Sequence, residues 1–97
     1  MSKLRSKEAD LLFEAILSLR DTQECYCFFE DICTIKELLD MAQRLDVAIL
    51  LRQGVNYQSI AQQVNVSTAT ISRVSRCLNY GSGGYAIALD KGTESGK

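Results

Sequence analysis

The chain has 97 residues, 46% hydrophobic and 24% charged, which is ordinary for one globular domain and excludes disordered and collagen-like classes. No run approaches the roughly 18 apolar residues of a membrane span, and the amphipathic start gives no export signal, so we predict a cytoplasmic protein. The net charge is −1, but ten of the twelve acidic residues lie between Glu8 and Asp46 and none lies from Val47 to Leu89, so a polyanion can approach that stretch without repulsion.

Two helices are predicted before Thr34. Residues 2–20 are dense in apolar side chains on more than one face and contain no glycine or proline, so we expect a helix that is buried on two sides. Asp21 and Glu24 have the spacing of a capping box, which indicates the start of a second helix. This helix contains the sequence CYCFF and Ile32, and we predict that these side chains belong to the core.

The cysteines and the lack of histidine bear on chemistry. Cys25, Cys27, Cys33 and Cys77 lie within apolar helical patterns, so we expect reduced thiols in or near the core. Cys25 and Cys27 are closer in sequence than typical zinc ligands, and we predict no bound metal. Without histidine, the commonest general base, no nucleophile and base can be paired, so we predict that the protein is not an enzyme.

A third helix is predicted from Ile35 to Gln53. Thr34 and Glu37 repeat the capping-box spacing at its start, and apolar residues recur along it at steps of three and four. Gly54 is the expected left-handed stop.

The next stretch has the pattern of a helix-turn-helix at about residues 57–78. Asn56 caps a short helix, Asn65 can take the left-handed conformation of a tight corner, and Ser67 opens a second helix. Seven residues have the spacing that directs them inward: Ile60, Ala61, Val64, Val66, Ile71, Val74 and Leu78. From Tyr80 onward glycine and serine dominate, so we predict one helical domain over residues 1–80 and a partly disordered tail over 81–97, with AIAL as a short strand or an arm.

The opposite face of the second helix indicates DNA binding. Its side chains are small, polar or basic, as a helix that enters the major groove requires, and the capped helix start favours a phosphate. The residues predicted to contact double-stranded DNA are Gln58, Ser67, Thr68, Ala69, Thr70, Ser72, Arg73 and Arg76. The alternative is a dimeric protein-interaction module that retains the helix-turn-helix fold.

The sequence NVSTATISRVSRCL closely resembles the recognition helix of the Trp repressor superfamily, and residues 34–54 are similar to the helix that precedes its helix-turn-helix. The resemblance implies an all-α fold, an intertwined homodimer, and a transcriptional regulator, a repressor by analogy, that acts on a palindromic operator. The sequence departs from the family pattern in two places. The final helix of the family is replaced by the predicted tail, and Tyr57 and Gln58 stand where the family has basic residues that clamp phosphate.

The family's repressor is switched by tryptophan, whose indole lies between two arginines. By motif, the effector positions fall on Thr34, Arg44 and Arg73, so Arg73 is open to a role with either DNA or an effector. Val74 stands where the repressor has a glycine that leaves room for the ring. A branched side chain there occupies that space, so we predict no cofactor: tryptophan is not the expected ligand, and either another effector or none binds.

Overall fold

The computed structural model describes residues 5–95 and contains only helices within that range. The six helices are α1 (Lys7–Leu17), α2 (Thr22–Ile32), α3 (Ile35–Arg52), α4 (Tyr57–Val64), α5 (Thr68–Tyr80) and α6 (Gly84–Ser95). The predicted all-α class is confirmed. None of the helices in the described range is long and apolar enough to cross a membrane. The chain divides into two compact units, residues 1–38 and residues 39–97.

Helix α1 is shorter than the predicted span of residues 2–20. It begins after Ser6, whose Oγ accepts a hydrogen bond from the backbone N–H of Ala9 at 3.0 Å. It ends at Leu17, and the hydroxyl of Ser18 donates to the carbonyl oxygen of Ala15 at 2.6 Å. Serine competes with the helical backbone for hydrogen bonds, so both ends of α1 lie at a serine. The part of the prediction that covers residues 2–4 lies outside the described residues.

The first unit buries none of the side chains of α1 or α2, and this corrects two predictions. Helix α1 is not buried on two sides in the single chain, since Leu17 is 83% exposed and Leu11 and Phe13 are also exposed. In α2 the Phe28 and Phe29 rings are half-buried and pack edge to face, with centroids 5.5 Å apart, but Ile32 is exposed. A unit this small buries only a modest fraction of its surface, which is too little for a core of its own.

The capping box at the start of α2 is half as predicted. Asp21 accepts a hydrogen bond from the backbone N–H of Glu24 at 2.8 Å. The Glu24 carboxylate, however, bonds to the backbone N–H and guanidinium of Arg20, at 2.8 and 2.9 Å, instead of returning to the cap residue. The hydrogen bond from the Arg20 side chain holds the pKa of Glu24 below its ordinary value, and the Arg20 backbone bond adds to this.

Helix α3 begins with a complete capping box and ends one residue before the predicted Gln53. The N–H of Glu37 donates to Oγ1 of Thr34 at 3.0 Å, and the N–H of Thr34 donates to Oε1 of Glu37 at 2.8 Å. Gly54 follows with φ = +83°, the predicted left-handed stop. Some apolar residues of α3 are exposed; Leu39, for example, is 59% exposed.

The core of the second unit lies where α3, α4 and α5 meet. Its fully buried residues within the described chain are Val47, Ala48, Ile60, Ile71 and Val74. Tyr85 and Leu89 of α6 are half-buried and pack against this cluster. The sequence pattern indicated Ile60, Ile71 and Val74 as inward residues, and Ala48 belongs to the apolar repeat that predicted α3; Val47 was not predicted.

Helix α6 overturns the predicted tail at residues 81–97. Residues Gly84–Ser95 are helical, so AIAL is neither a strand nor an arm, and only residues 96 and 97 of the expected disordered end lie outside the description. Arg52 at the end of α3 and Asp90 on α6 form an ion pair at 2.8 Å. The glycines mark a corner instead of a helix-free tail: a Cβ on Gly81 would lie 2.5 Å from the carbonyl oxygen of Cys77.

The cysteines are free thiols, but the predicted location in or near the core is wrong for three of them. Cys25, Cys27 and Cys77 are exposed in the single chain, and Cys33 is half-buried. The first two lie on α2, which has no buried face in the chain, and this is why an apolar helical pattern misplaced them.

The backbone of Asn65 gives a test of the corner between α4 and α5. Asn65 is the non-glycine residue with positive φ in the described chain (+60°). We expect Asn65→Val to lower the free energy of unfolding by about 1–2 kcal/mol, because a branched Cβ is disfavoured in the left-handed region. Asn65→Gly is the matched control and should leave stability equal or higher. Urea unfolding at one protein concentration measures both, and equal stability of the valine and glycine variants would contradict the assignment.

Candidate nucleic-acid interface

Local hydrogen bonds set the geometry of the α4–α5 segment. Oδ1 of Asn56 accepts from the backbone N–H of Ser59 at 2.9 Å and caps α4. Asn65 then turns the chain with φ = 60° and ψ = 51°, and its N–H donates to the carbonyl oxygen of Ala61 at 3.0 Å. Oγ of Ser67 accepts from the N–H of Thr70 at 3.2 Å and caps α5. These are two short helices joined by a tight turn, as the sequence predicted for a helix-turn-helix.

The inward side of this segment agrees with the predicted pattern. Ile60, Ile71 and Val74 are fully buried. The other four predicted inward residues, Ala61, Val64, Val66 and Leu78, are half-buried and pack against that core. The two helices are therefore joined by apolar packing along the lengths that face each other.

Helix α3 supports the helix-turn-helix from behind. Val47 and Ala48 on α3 lie in the same buried cluster as Ile60 and Ile71. Nε2 of Gln43 also donates to the carbonyl oxygen of Val64 at 3.4 Å, a partly buried link to the last turn of α4. Neither Gln43 nor Val47 was predicted from the sequence. The apolar character of Val47, next to Ala48 in the repeat of α3, could have indicated its burial. No pattern near Gln43 indicates its contact with Val64.

The outward face of α5 carries most of the predicted DNA contacts. Thr68, Ala69, Arg73 and Arg76 are exposed, and Ser72 is half-buried; we call these five residues the recognition surface. They lie at helical steps of three and four, which place side chains on one face.

The remaining predicted contacts lie beside this surface or on α4. Ser67 is exposed at the cap and Thr70 is half-buried, with its hydroxyl accepting from that of Ser67 at 3.2 Å. Gln58 is exposed in the first turn of α4. Tyr80 was not among the predicted contacts. It is 88% exposed and lies four residues beyond Arg76, a spacing that indicates the same face of α5.

The charges near the recognition surface favour an anion. No carboxylate occurs from residue 47 to residue 89. Within the part of the chain that the structure describes, the side chains of Arg73 and Arg76 have no hydrogen bond or ion pair, whereas the Arg52 side chain pairs with Asp90. Two of the three arginines in the acid-free stretch are therefore available, and the first backbone N–H groups of α5 have no partner within the helix.

The predicted effector residues are distributed over both units. Arg44 is half-buried on α3 and Arg73 is exposed on α5, both in the second unit. Thr34 lies in the first unit, where its hydroxyl caps α3. Over residues 5–95, no three His, Cys, Asp or Glu side chains are grouped so as to hold a metal ion.

Comparisons with known proteins agree on the family and on the fold. The family model described as Trp repressor protein matches residues 7–93. The uncharacterized protein YerC of Bacillus subtilis (strain 168) is 56% identical over 95 residues, which cover 98% of this chain and 91% of that protein.

Two solved structures are also similar. The crystal structure of a TrpR-like protein from Eubacterium eligens ATCC 27750 has a TM-score of 0.88 and 50% identity, and the match covers 92% of each chain. That of a candidate Trp repressor from Staphylococcus aureus has a TM-score of 0.89 and 47% identity, covering 94% of this chain and 91% of the other.

The Ser67 cap can be tested through stability. Ser67→Ala should lower the free energy of unfolding by about 1 kcal/mol, because the N–H of Thr70 loses its acceptor. Ser67→Asp should retain wild-type stability, since aspartate caps a helix equally well and its charge favours the helix start. Urea unfolding of both variants provides the measurement, and an equal loss in the two would mean that the capping bond is not what stabilises α5.

Proposed function

The chain belongs to the Trp repressor family, and from this premise we propose that it is a sequence-specific transcriptional regulator, a repressor, that binds a palindromic operator as a homodimer. The observation that carries the proposal is the recognition surface. It is exposed on a helix whose opposite face is anchored in the core, and it contains no carboxylate.

The side chains of this surface suit the major groove. Ala69 and Thr68 are small enough to let the backbone of α5 approach the base edges, and their methyl groups can contact thymine methyls. The side chains of Arg73 and Arg76 reach guanine or phosphate. The free amides at the start of α5, beside Ser67, add a site for a backbone phosphate.

Exposed apolar residues support the homodimer. Leu11, Phe13 and Leu17 on α1, and Ile35 and Leu39 on α3, are all more than half exposed in the single chain. Soluble monomers rarely expose large contiguous apolar patches, and such patches mark interaction sites. A second copy that covers them would place two recognition helices about one DNA turn apart, on a palindrome.

The alternative is a protein-interaction module built on the same fold. Two observations favour it: the net charge is −1, and Tyr57 and Gln58 stand where the family has basic residues. DNA binding and protein binding differ in their response to salt, because only the former releases condensed counterions.

Selection from a random DNA pool with the purified protein at low salt tests the proposal directly. We expect a palindromic sequence to emerge. Ala69→Glu should then abolish binding to the selected DNA, since it brings charge and bulk to the centre of the recognition surface. Gel shifts and fluorescence anisotropy measure the loss.

Gln23→Glu is the matched control for Ala69→Glu. It adds the same charge at an exposed position in the first turn of α2, which carries none of the predicted DNA contacts. This variant should bind as the wild type does. Unchanged binding by Ala69→Glu would refute the docking of α5, and failure to select any DNA would favour the interaction module.

The Arg76→Ala variant tests how the arginines act. If Arg76 contacts a phosphate, its loss should weaken binding to all sequences and reduce the slope of log affinity against log salt by about one. The slope is measured by anisotropy between low and moderate salt for wild type and variant. A salt-independent affinity of the wild type would contradict DNA binding through this surface.

A further inference from the structure

Val74 bears on how the proposed regulator is controlled. The resemblance to the Trp repressor family implies that its effector, tryptophan, takes up space beside the recognition helix at the position where this chain has Val74. The Val74 side chain is only 1% exposed and is one of the largest fully buried side chains in the described chain. The Val74 side chain therefore occupies the position where the family leaves room for the ring.

The surroundings of Val74 show what its side chain does instead. It lies in one buried cluster with Val47 and Ala48 of α3, Ile60 of α4 and Ile71 of α5. These residues come from the helix that supports the motif and from both helices of the motif itself. The Val74 isopropyl group thus lies inside the junction of the three helices, and a ring placed at this position would have to displace core atoms.

We propose that this protein binds its DNA independently of tryptophan and that the Val74 side chain, by occupying the space of the indole ring, is the reason. The inference rests on the proposed function and concerns the regulation of the same surface. A ligand shifts an equilibrium only through a difference in affinity between two states. Because Val74 occupies the space of the ring, we expect tryptophan to bind neither state and therefore not to shift the equilibrium.

The same inference assigns Arg73 to DNA alone. Arg73 is exposed, lies on the recognition surface and has no hydrogen bond or ion pair among the described residues. Arg44, the other arginine at an effector position, is half-buried on α3 and is likewise unpaired within the described chain. Without an indole to hold between them, the Arg73 guanidinium is free to contact phosphate or guanine in every functional state.

Two measurements on the full chain test the proposal. Tryptophan is titrated calorimetrically into the protein alone, and the affinity for the selected DNA is measured with and without millimolar tryptophan. We expect no saturable heat, and a change in DNA affinity smaller than about twofold, well below the 5- to 150-fold that allosteric coupling commonly gives. Saturable micromolar binding, or a tenfold or greater increase in DNA affinity, would overturn the proposal.

Variants then connect the result to Val74 itself. Val74→Gly opens the space beside α5, and we expect it to bind tryptophan in calorimetry; Val74→Ala takes its place if circular dichroism shows that the glycine variant does not fold. Ile71→Ala is the matched control, because it also removes three side-chain carbons but at a different position of the same cluster. It should not bind tryptophan. A folded Val74 variant that still ignores tryptophan would remove Val74 from the explanation.

The two proposals fail in different ways. If the wild type binds no DNA with or without tryptophan, the proposed function fails, while the calorimetry of wild type and Val74→Gly still decides whether Val74 closes the site. If the wild type binds DNA and tryptophan raises its affinity for DNA, the proposed function stands and the proposed independence from tryptophan is refuted. Arg73→Ala should weaken DNA binding to the same extent in the presence and absence of tryptophan.

Discussion

The arrangement of the second unit depends on one apolar contact at its core. The residues in contact are Val47, Ala48, Ile60, Ile71 and Val74. These side chains come from three helices, so the cluster fixes the position of α5 relative to α3 and α4. Burial of a valine or isoleucine side chain contributes about 1.5–3 kcal/mol, whereas the exposed Arg52–Asp90 pair contributes at most about 1 kcal/mol. Apolar packing, and not surface charge, therefore holds the recognition helix in place and leaves its outer face free.

The division of labour along α5 follows from the same constraint. Its inner positions are apolar and branched, and its outer positions are small, hydroxylated or basic. Val74 and Arg73 are adjacent in sequence but point to opposite surroundings, one fully buried and the other exposed. The proposed independence from tryptophan and the proposed DNA contact are thus consequences of two neighbouring positions on one helix.

Features that depend on a few neighbouring residues could be predicted from the sequence. The capping pair Thr34–Glu37, the caps at Asn56 and Ser67, and the left-handed Asn65 are all present, because each is decided by hydrogen bonds within one turn. Six of the seven inward positions of the helix-turn-helix follow from helical spacing, and Val66 follows from its place in the turn. Predictions that needed tertiary context failed: the expected burial of α1 and α2 is absent in the single chain. The glycines before α6 obscured a helix whose Tyr85 and Leu89 pack against the core, and no local pattern reveals that contact.

The buried cluster has a kinetic consequence as well. Its first and last members, Val47 and Val74, are only 27 positions apart, and all five come from consecutive helices. Bringing them together requires closure of short loops only, which costs little chain entropy and is typical of proteins that fold in microseconds to milliseconds. The segment that presents the recognition surface can thus condense as a local nucleus, without waiting for contacts between distant ends of the chain.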